Sequence, residues 1–335
     1  MTVRLAISGF GRIGRMVLRA LVETGRDDVE IVLINTPGPV ETSAHLYEFD
    51  SVHGRAKGSI SHGEGWMDVG RGRIAMTHER DPAMIPHADH GVDIVLECSG
   101  RFNDRDSSAA HLTAGAKRVL VSAPCKNADA TIVYGVNHDR IAADQLVISN
   151  ASCTTNCLAP VAKVMSDAVG IEAGYMTTIH AYTGDQPTLD TSHKDLRRAR
   201  AAAMSMIPTS TGAARSVGEV LPHLRGKLNG SAIRVPTANV SVVDFGFTSN
   251  RDTSTQEVNA LLKTAAEGPM KGILGINERP LVSIDFNHDP HSSIADLTQT
   301  HVMNGRLVRV LAWYDNEWGF SCRMLDNAAE IGKTL

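Results

Sequence analysis

A glycine-rich turn near the start of the chain constrains the fold more than any other feature. The apolar run Val3–Ser8 predicts a buried strand, and Gly9, Gly11 and Gly14 follow it with the spacing G-x-G-x-x-G. Apolar residues then recur at helical spacing, and a second β-rich run covers residues 29–35. This succession of strand, turn, helix and strand predicts a βαβ unit.

Each glycine of the turn has a physical role in a dinucleotide site. Gly9 permits the tight turn, Gly11 lets the backbone approach a pyrophosphate, and Gly14 lets the helix pack on the strand. The helix N-terminus would offer its unpaired N–H groups to the phosphates. Because the turn lies between a strand and a helix, we interpret it as cofactor-binding rather than merely structural. Asn35 and Thr36 stand where a carboxylate for the ribose 2′-hydroxyl is expected.

The rest of the first half alternates apolar runs with helical stretches, which predicts a mostly parallel sheet covered on both faces. Residues 57–78 are rich in glycine and polar residues and predict a small antiparallel insertion. The further predicted strands of this half are 94–98, 118–122, 131–134 and 146–149, with a helix around 107–114.

The pattern changes after Ser152. A helix is predicted over 153–168 and another near 255–266, and the long strand-like runs between and after them indicate an α+β arrangement. These runs are 175–180, 232–247, 281–286 and 307–314.

The predicted fold class is therefore α/β with two domains, and 335 residues with 42% hydrophobic content suffice for two cores. The first is an N-terminal Rossmann-type, doubly wound dinucleotide-binding domain over 1–151, completed by a C-terminal helix over 318–335. The second, over 152–317, is an α+β catalytic domain with a largely antiparallel sheet.

Charge and cysteine usage argue against several classes of partner. A net charge of −4 gives no basis for binding nucleic acid or an anionic membrane, and no apolar run approaches the ~20 residues of a membrane span.

Five scattered cysteines are not typical of a disulfide framework, so we expect a cytoplasmic protein. The strand pattern begins next to Met1, so we expect no signal peptide. We predict no metal site.

Cys153 lies where a predicted strand gives way to a predicted helix, with Ser152 as a suitable N-cap. The positive end of the helix would favour a thiolate at this position. His180, at the end of a predicted strand and before a polar turn, is the best candidate for its base. From spacing alone, a buried structural cysteine is the more frequent interpretation.

Several motifs, in the same order, resemble the phosphorylating glyceraldehyde-3-phosphate dehydrogenase family over essentially the whole chain. The sequence Ala-Ser-Cys-Thr-Thr-Asn-Cys over 151–157 is similar to the active-site signature of that family. The other matching segments are 9–15, 47–54, 180–183, 210–214, 234–237 and 313–319.

The resemblance implies an oxidoreductase that acts on an aldehyde. In the family the matching cysteine forms a thiohemiacetal, hydride passes to the nicotinamide, and inorganic phosphate cleaves the resulting thioester to an acyl phosphate. Cys153 would be the nucleophile, and His180 the base that activates it and stabilises the oxyanion. The implied reaction oxidises D-glyceraldehyde 3-phosphate to 1,3-bisphosphoglycerate with NAD or NADP.

Two anion sites are also implied by the resemblance. Arginines suit the phosphate that must not move, whereas hydroxyl and N–H groups suit the one that must react. The residues that match the substrate-phosphate site are Thr183, Arg198 and Arg234. Those that match the attacking-phosphate site are Ser152, Thr154, Thr211 and Gly212. The alternative for Arg198 and Arg234 is a role in surface or interface salt bridges.

On the cofactor side, Arg12 and Ile13 resemble the pair that binds the pyrophosphate. Arg80 lies in a motif that flanks the adenine end. Ser122 and Asn316 match positions near the nicotinamide, where Asn316 would hold the carboxamide and fix the ring face that receives hydride. The alternative for Ser122 is a simple cap at a strand end.

Two departures from the family pattern bear on the cofactor. NAD-specific relatives carry Asp where Thr36 stands, and they often have Leu-Pro where Thr191 and Ser192 stand. We therefore predict that NADP is accepted alongside NAD, against the alternative of neutral drift with NAD retained. In the family the loop around these two residues reaches a neighbouring subunit's cofactor, which implies a homotetramer.

Two other functions are weighed against this one. Erythrose-4-phosphate dehydrogenase is a similar enzyme in which water replaces phosphate, and the segment 286–291 has some of its character. The segment 210–212 argues against it, because that enzyme usually lacks this phosphate-site pattern. A non-catalytic nucleotide-binding or redox-sensing relative is the second alternative, which the presence of Cys153, His180 and both anion-site sets opposes.

Overall fold

The computed structural model describes residues 2–335, which divide into two compact units. Unit 1 comprises the chain up to Ser152 together with Ser321–Leu335, and unit 2 comprises Cys153–Phe320. Within residues 2–335, no helix has the length and apolar character needed to cross a membrane.

Unit 1 is built on a nine-stranded sheet and a separate two-stranded hairpin. The strands of this unit are β1 (Val3–Ser8), β2 (Val29–Asn35), β3 (Phe49–Asp50), β4 (Gly54–Arg55), β5 (Ser61–Gly63), β6 (Trp66–Asp68), β7 (Arg73–Thr77), β8 (Ile94–Glu97), β9 (Arg118–Val121), β10 (Ala130–Thr131) and β11 (Val147–Ser149). Its helices are α1 (Arg12–Glu23), α2 (Val40–Glu48), α3 (Arg105–Ser108) and α4 (Ala110–Thr113), with 3-10 turns at Pro82–Met84 and His138–Arg140.

The large sheet has the order β10-β11-β9-β8-β1-β2-β7-β6-β5. Every neighbouring pair from β10 to β7 is parallel, and only β6 and β5 run antiparallel. This confirms the predicted doubly wound fold class. The strand order reverses beside β1, since β2 lies on one side and β8 on the other, so the turn after β1 opens at a topological switch point.

Two details of unit 1 differ from the prediction. The antiparallel segment within 57–78 is not a separate insertion, because β7 pairs in parallel with β2 and carries β6 and β5 into the main sheet. The strand predicted over 131–134 is limited to Ala130–Thr131.

Unit 2 is built on a seven-stranded sheet. Its strands are β12 (Ala173–Ala181), β13 (Ile207–Ser210), β14 (Leu228–Val235), β15 (Ser241–Thr248), β16 (Leu274–Asn277), β17 (Ser293–Met303) and β18 (Leu307–Tyr314). The helices from Cys153 onward are α5 (Cys153–Ala168), α6 (Ala213–Val220), α7 (Thr255–Glu267) and α8 (Trp318–Gly332), of which α8 continues into unit 1.

The order of this sheet is β13-β14-β12-β15-β18-β17-β16. Only the pairs β12–β14 and β16–β17 are parallel, which confirms the predicted α+β class with a largely antiparallel sheet. Helix α5 packs on β15, β17 and β18, and its buried residues include Thr154–Ala162.

Two of the predicted strands of this half are wrong in extent or type. The run 232–247 is two strands, separated by a turn in which Val240 adopts φ +67°. The segment predicted as a strand over 281–286 contains a 3-10 helix at Ser283–Phe286. There the Asp285 carboxylate accepts the Val282 N–H at 2.8 Å, which closes a tight turn instead of extending the chain.

A buried hydrogen-bonded chain joins three segments of unit 1. His87 Nε2 lies 3.0 Å from His111 Nδ1, and His111 Nε2 lies 3.1 Å from Glu97 Oε2. Glu97 Oε1 accepts the Ser99 N–H at 2.7 Å, and Ser99 lies against Gly9. Burial, with smaller contributions from His111 and His90, lowers the pKa of His87 to about 3.

We predict that His87 makes the protein less stable in mild acid. The unfolded chain binds a proton at this histidine below pH ~6.5, whereas the folded protein does so only near pH 3, so stability falls as pH decreases through that window. Between pH 7 and pH 5 the unfolding free energy of the wild type should fall by about 2 kcal/mol more than that of His87→Gln.

Urea unfolding at the two pH values measures this difference. Glutamine keeps a donor for His111 but does not titrate, and His62→Gln, at an exposed position of β5, is the matched control. An equal loss of stability in His87→Gln and the wild type would contradict the prediction.

Candidate active site

A cysteine and a histidine meet in unit 2. Cys153 is the first residue of α5, and His180 is the penultimate residue of β12. Strand β12 is held between β14 and β15, so the backbone beneath the imidazole is fixed from both sides. The Cys153 Sγ lies 3.4 Å from His180 Nε2, within contact distance for proton transfer.

The shortest contact of His180 favours one tautomer. Its Nδ1 lies 2.7 Å from the carbonyl oxygen of Ala181, which can only accept, so this contact is a hydrogen bond when Nδ1 carries the proton. In that tautomer the lone pair of Nε2 faces Cys153. Arg234 Nη1 donates to the same carbonyl at 3.1 Å and lies 2.9 Å from Nδ1, so a fixed positive charge borders the imidazole.

Burial and this positive charge set the protonation states. Burial, reinforced by Arg234, lowers the pKa of His180 to about 3. Burial also raises the pKa of the Cys153 thiol, although Arg234 and the Thr154 N–H act in the opposite direction. The thiol pKa thus shifts against the direction expected from a helix N-terminus alone. Both shifts favour a neutral thiol beside a neutral imidazole.

A buried hydroxyl cluster underlies this pair. The Tyr314 hydroxyl lies 2.9 Å from Thr154 Oγ1 and 2.8 Å from Thr178 Oγ1, and the His180 ring meets the Tyr314 ring edge-on. The side chain of Thr154 therefore points into the protein interior. Sequence reasoning missed Tyr314 and Thr178 as parts of the site, although Tyr314 lies inside a segment that carried the family resemblance.

Arginines provide positive charge next to His180. Arg234 forms no ion pair with any carboxylate of residues 2–335, and its buried Nε has no hydrogen-bond partner among them. Arg198 is anchored differently, through Nη1 to Asp185 at 2.8 Å and Nε to Thr209 at 3.0 Å. The charges of the two arginines affect each other, and both lower the pKa of His180.

The other residues predicted to bind phosphate lie on chain segments around this pair. Thr183 is two residues beyond the end of β12 and is partly exposed. Thr211 and Gly212 precede α6, where Thr211 Oγ1 accepts the Ala213 N–H at 3.2 Å. Ser152 directly precedes Cys153 and is the last residue of the first segment of unit 1.

The glycine turn of unit 1 has the geometry of a dinucleotide cradle. Gly9 has φ +90°, and a Cβ there would lie 2.4 Å from the Cα of Ser99. A Cβ on Gly14 would lie 2.2 Å from the Gly9 carbonyl oxygen, whereas one on Gly11 would meet nothing within 4 Å. The turn is thus closed against the protein at two glycines and open at the third, which fits a pyrophosphate on the N-terminus of α1.

A cavity in unit 1 extends from this turn past the end of β2. Both polar side-chain atoms of Asn35 are hydrogen-bonded within unit 1. Nδ2 donates to the Glu79 carbonyl, and Oδ1 accepts from the Glu79 N–H and the Thr77 hydroxyl, all at 2.9 Å. Thr36 is partly exposed. The residues that line the cavity include Gly9, Gly11, Asn35, Thr36, Pro37, Glu79, Arg80, Ser99 and Phe102.

The other residues predicted to bind the cofactor are distributed over both units. Arg12 and Ile13 begin α1, and the Arg12 guanidinium is paired with the buried Asp50 carboxylate. Ser122 follows β9 and donates its N–H to the Glu97 carbonyl at 3.0 Å. Asn316 belongs to unit 2, follows β18 and is almost fully buried.

Comparison with known proteins gives the same result for both halves of the chain. Residues 3–105 match the family described as glyceraldehyde 3-phosphate dehydrogenase, NAD binding domain, and residues 152–316 match its C-terminal domain. The relatives include proteins named glyceraldehyde-3-phosphate dehydrogenase from Cereibacter sphaeroides, 64% identical over all of both chains, and from Xanthobacter flavus, 66% identical over 99% of each. A glyceraldehyde-3-phosphate dehydrogenase 2 from Bacillus subtilis is 51% identical over 97% of this chain and 96% of its own.

With a dinucleotide cradle in unit 1, a cysteine–histidine pair in unit 2 and full-length relatives at this level of identity, the chain belongs to the glyceraldehyde-3-phosphate dehydrogenase family.

Proposed function

We propose that the chain is a phosphorylating glyceraldehyde-3-phosphate dehydrogenase, which converts D-glyceraldehyde 3-phosphate and inorganic phosphate to 1,3-bisphosphoglycerate with NAD or NADP. One observation supports it above all: Cys153 Sγ lies 3.4 Å from the unprotonated nitrogen of His180. The relatives' names and the match to an NAD binding domain agree with this chemistry. Unit 1 would bind the dinucleotide and unit 2 would carry the covalent chemistry.

The first covalent step uses the cysteine–histidine pair. His180 Nε2 takes the thiol proton while Cys153 Sγ adds to the aldehyde carbon, which gives a thiohemiacetal. Because the thiol and the imidazole are both neutral beforehand, proton transfer accompanies the attack. The imidazolium that results can donate a hydrogen bond to the developing oxyanion.

When bound, the nicotinamide supplies the oxidation, because its ring accepts a hydride. The acyl group is then held on Cys153 as a thioester. An oxygen of inorganic phosphate attacks the thioester carbon, the carbon–sulfur bond breaks, and the acyl phosphate leaves. For the dinucleotide itself we propose contacts from Gly9, Gly11, Gly14 and the first N–H groups of α1.

The phosphate of the substrate is proposed to bind at Arg234, Arg198 and Thr183. Arg234 supports this because its guanidinium has no carboxylate partner, a feature that salt-bridge residues do not share. The attacking phosphate is proposed to bind near Ser152, Thr154, Thr211 and Gly212, where the N-terminus of α6 offers N–H groups. Because the Thr154 hydroxyl faces Tyr314, only the backbone of Thr154 is available for this role.

A homotetramer in the cytoplasm is also proposed. The segment that follows Thr183 carries four large apolar side chains that are 72–83% exposed in the single chain. Large apolar side chains exposed to this extent within one segment fit a surface that another chain covers. These residues are Leu189, Leu196, Met204 and Met206.

The first prediction from this proposal concerns the sulfur of Cys153. Cys153→Ser should lower kcat for aldehyde oxidation at least ~10³-fold, because a neutral hydroxyl is a far weaker nucleophile. His180→Asn should lower it ~10²–10⁴-fold. Steady-state NADH formation measures both effects, and Cys125→Ser, at a partly exposed cysteine of unit 1, is the control. Unimpaired turnover of Cys153→Ser would end the proposal.

A second prediction separates phosphate from water as the acyl acceptor. With D-glyceraldehyde 3-phosphate and NAD but no phosphate, the enzyme should release about one NADH per subunit and then slow markedly, because the thioester persists. Added phosphate should restore steady turnover. If the steady rate were the same without phosphate, the non-phosphorylating erythrose-4-phosphate reaction would be the better description.

Cofactor choice gives a third prediction, based on our proposal that NADP is accepted alongside NAD. An aspartate at position 36 would stand ~4 Å from a 2′-phosphate and repel it by ~4 kcal/mol at an effective dielectric of 20. Thr36→Asp should therefore lower kcat/KM for NADP by about 10²–10³-fold and leave that for NAD nearly unchanged.

Steady-state kinetics with both dinucleotides measure this change. Thr42→Asp is the control, because it adds the same charge at an exposed position of α2. A wild-type kcat/KM for NADP a thousandfold below that for NAD would contradict the proposal.

A further inference from the structure

One hydroxyl in unit 2 connects the strand of His180 with Asn316. Ser241, the first residue of β15, is buried, and its Oγ lies 3.1 Å from the Ala181 N–H and 2.8 Å from Asn316 Oδ1. Ala181 is the residue whose carbonyl fixes the His180 tautomer. The same residue is therefore tied to Arg234 through its carbonyl and to Ser241 through its N–H.

The structure gives each polar atom of this contact a role. The Ala181 N–H can only donate, so Ser241 Oγ accepts that bond. The hydroxyl proton of Ser241 is then available for Asn316, whose Oδ1 lies 2.8 Å from Oγ and accepts it. Ser241 therefore sets the direction of the Asn316 side-chain amide, with Nδ2 turned away as a donor.

The backbone of Asn316 is held independently of Ser241. The buried Asp315 carboxylate accepts the N–H groups of Glu317 at 2.9 Å and Trp318 at 2.8 Å, which starts α8, and it also accepts the N–H of His288 at 2.7 Å. These contacts leave the side-chain torsions of Asn316 open. Within residues 2–335 the Asn316 side chain makes only the hydrogen bond from Ser241, so Nδ2 is available to a ligand.

We propose that Ser241 is a positioning residue for the cofactor: it fixes the Asn316 amide so that Nδ2 donates to the carboxamide oxygen of a bound nicotinamide. This inference rests on the proposed dinucleotide-dependent function. The proposal requires one orientation of the Asn316 amide, because a rotated amide would present Oδ1 to that carbonyl oxygen and repel it. Serine at this position thereby selects ligands that place an acceptor oxygen at Nδ2.

The structure around Ser241 supports a functional reason for this hydroxyl. The preceding residue, Val240, has φ +67°, a conformation that costs a β-branched side chain about 1–3 kcal/mol. The strained backbone brings Ser241 into β15 opposite Tyr314, two residues before Asn316. A hydroxyl at this register position reaches both β12 and Asn316, which an alanine would not.

Binding measurements on the full-length protein test the proposal. Ser241→Ala should raise the Kd for NAD about three- to tenfold, the equivalent of one hydrogen bond, and leave the Kd for ADP-ribose within twofold, because ADP-ribose lacks the nicotinamide. In an Asn316→Ala background, Ser241→Ala should cause no further loss of NAD affinity. Ser249→Ala removes another fully buried hydroxyl just beyond β15 and is the matched control.

Several results would overturn the inference. Equal weakening of NAD and ADP-ribose, no weakening of NAD, or losses that add in the double variant would each show that Ser241 does not act through Asn316. If Ser241→Ala does not fold, binding of an NAD analogue to the wild-type protein tests the proposal instead. The 3-acetylpyridine analogue of NAD keeps the carbonyl oxygen but has a methyl group in place of the amide nitrogen. It should bind to the wild type with a Kd within about threefold of that for NAD. A tenfold or greater loss would mean that the Asn316 amide points the other way.

Failure of the inference is distinct from failure of the proposed function. If wild-type protein bound neither NAD nor NADP, the dinucleotide-dependent function itself would be wrong. If the wild type binds NAD and forms NADH from the aldehyde, the proposed function stands, and the variants then test only the role of Ser241.

Discussion

The hydrogen bond between His180 Nδ1 and the Ala181 carbonyl is the interaction on which the proposed chemistry of unit 2 depends. With the proton on Nδ1 in this bond, Nε2 is the acceptor that faces Cys153. The bond is short-range in sequence, but it holds its geometry because β12 is paired along both edges. A shift of one residue in that pairing would turn the imidazole to the opposite face of the sheet.

The polar groups around this bond are satisfied by contacts that come from distant parts of the chain. Tyr314 joins Thr154 and Thr178 beneath the cysteine and the imidazole, and Ser241 fixes the Ala181 N–H. Buried hydroxyls of this kind stabilise one arrangement only when each finds a partner. The Cys153–His180 pair is thus supported by side chains that need not themselves touch a substrate.

Much of the fold could be predicted from local periodicity. Strands β1 and β2 and helix α5 follow the pattern of apolar residues closely, because each is regular and bounded by turn or cap residues. The break inside 232–247 could not be predicted, since valine is a poor signal for a left-handed turn and Val240 adopts one. The strand expected over 281–286 failed because a local side-chain contact from Asp285 closes the backbone into a 3-10 turn.

The candidate site, like the fold, could be predicted only in part. The family motifs named Cys153 and His180, and the structure puts these two side chains in contact. Tyr314 and Ser241 were missed as parts of the site because their roles depend on contacts with residues 160 and 60 positions away, respectively. No local pattern of residues encodes such a contact. The lowered pKa of His180 could not be predicted from the sequence either, because it results from burial and from Arg234 on a neighbouring strand.

The position of Arg234 makes proton affinity and anion affinity at this site mutually dependent. The charges of Arg234 and Arg198 both lower the basicity of His180. An anion that pairs with these guanidinium groups offsets that effect, so the imidazole becomes a stronger base when the anion is in place. By reciprocity, a protonated imidazole holds the same anion more tightly than a neutral one. With the proposed phosphate site at these guanidinium groups, a ligand with a phosphate at the right distance would make Cys153 more reactive towards its own aldehyde, whereas a small aldehyde without that phosphate would meet a weaker base.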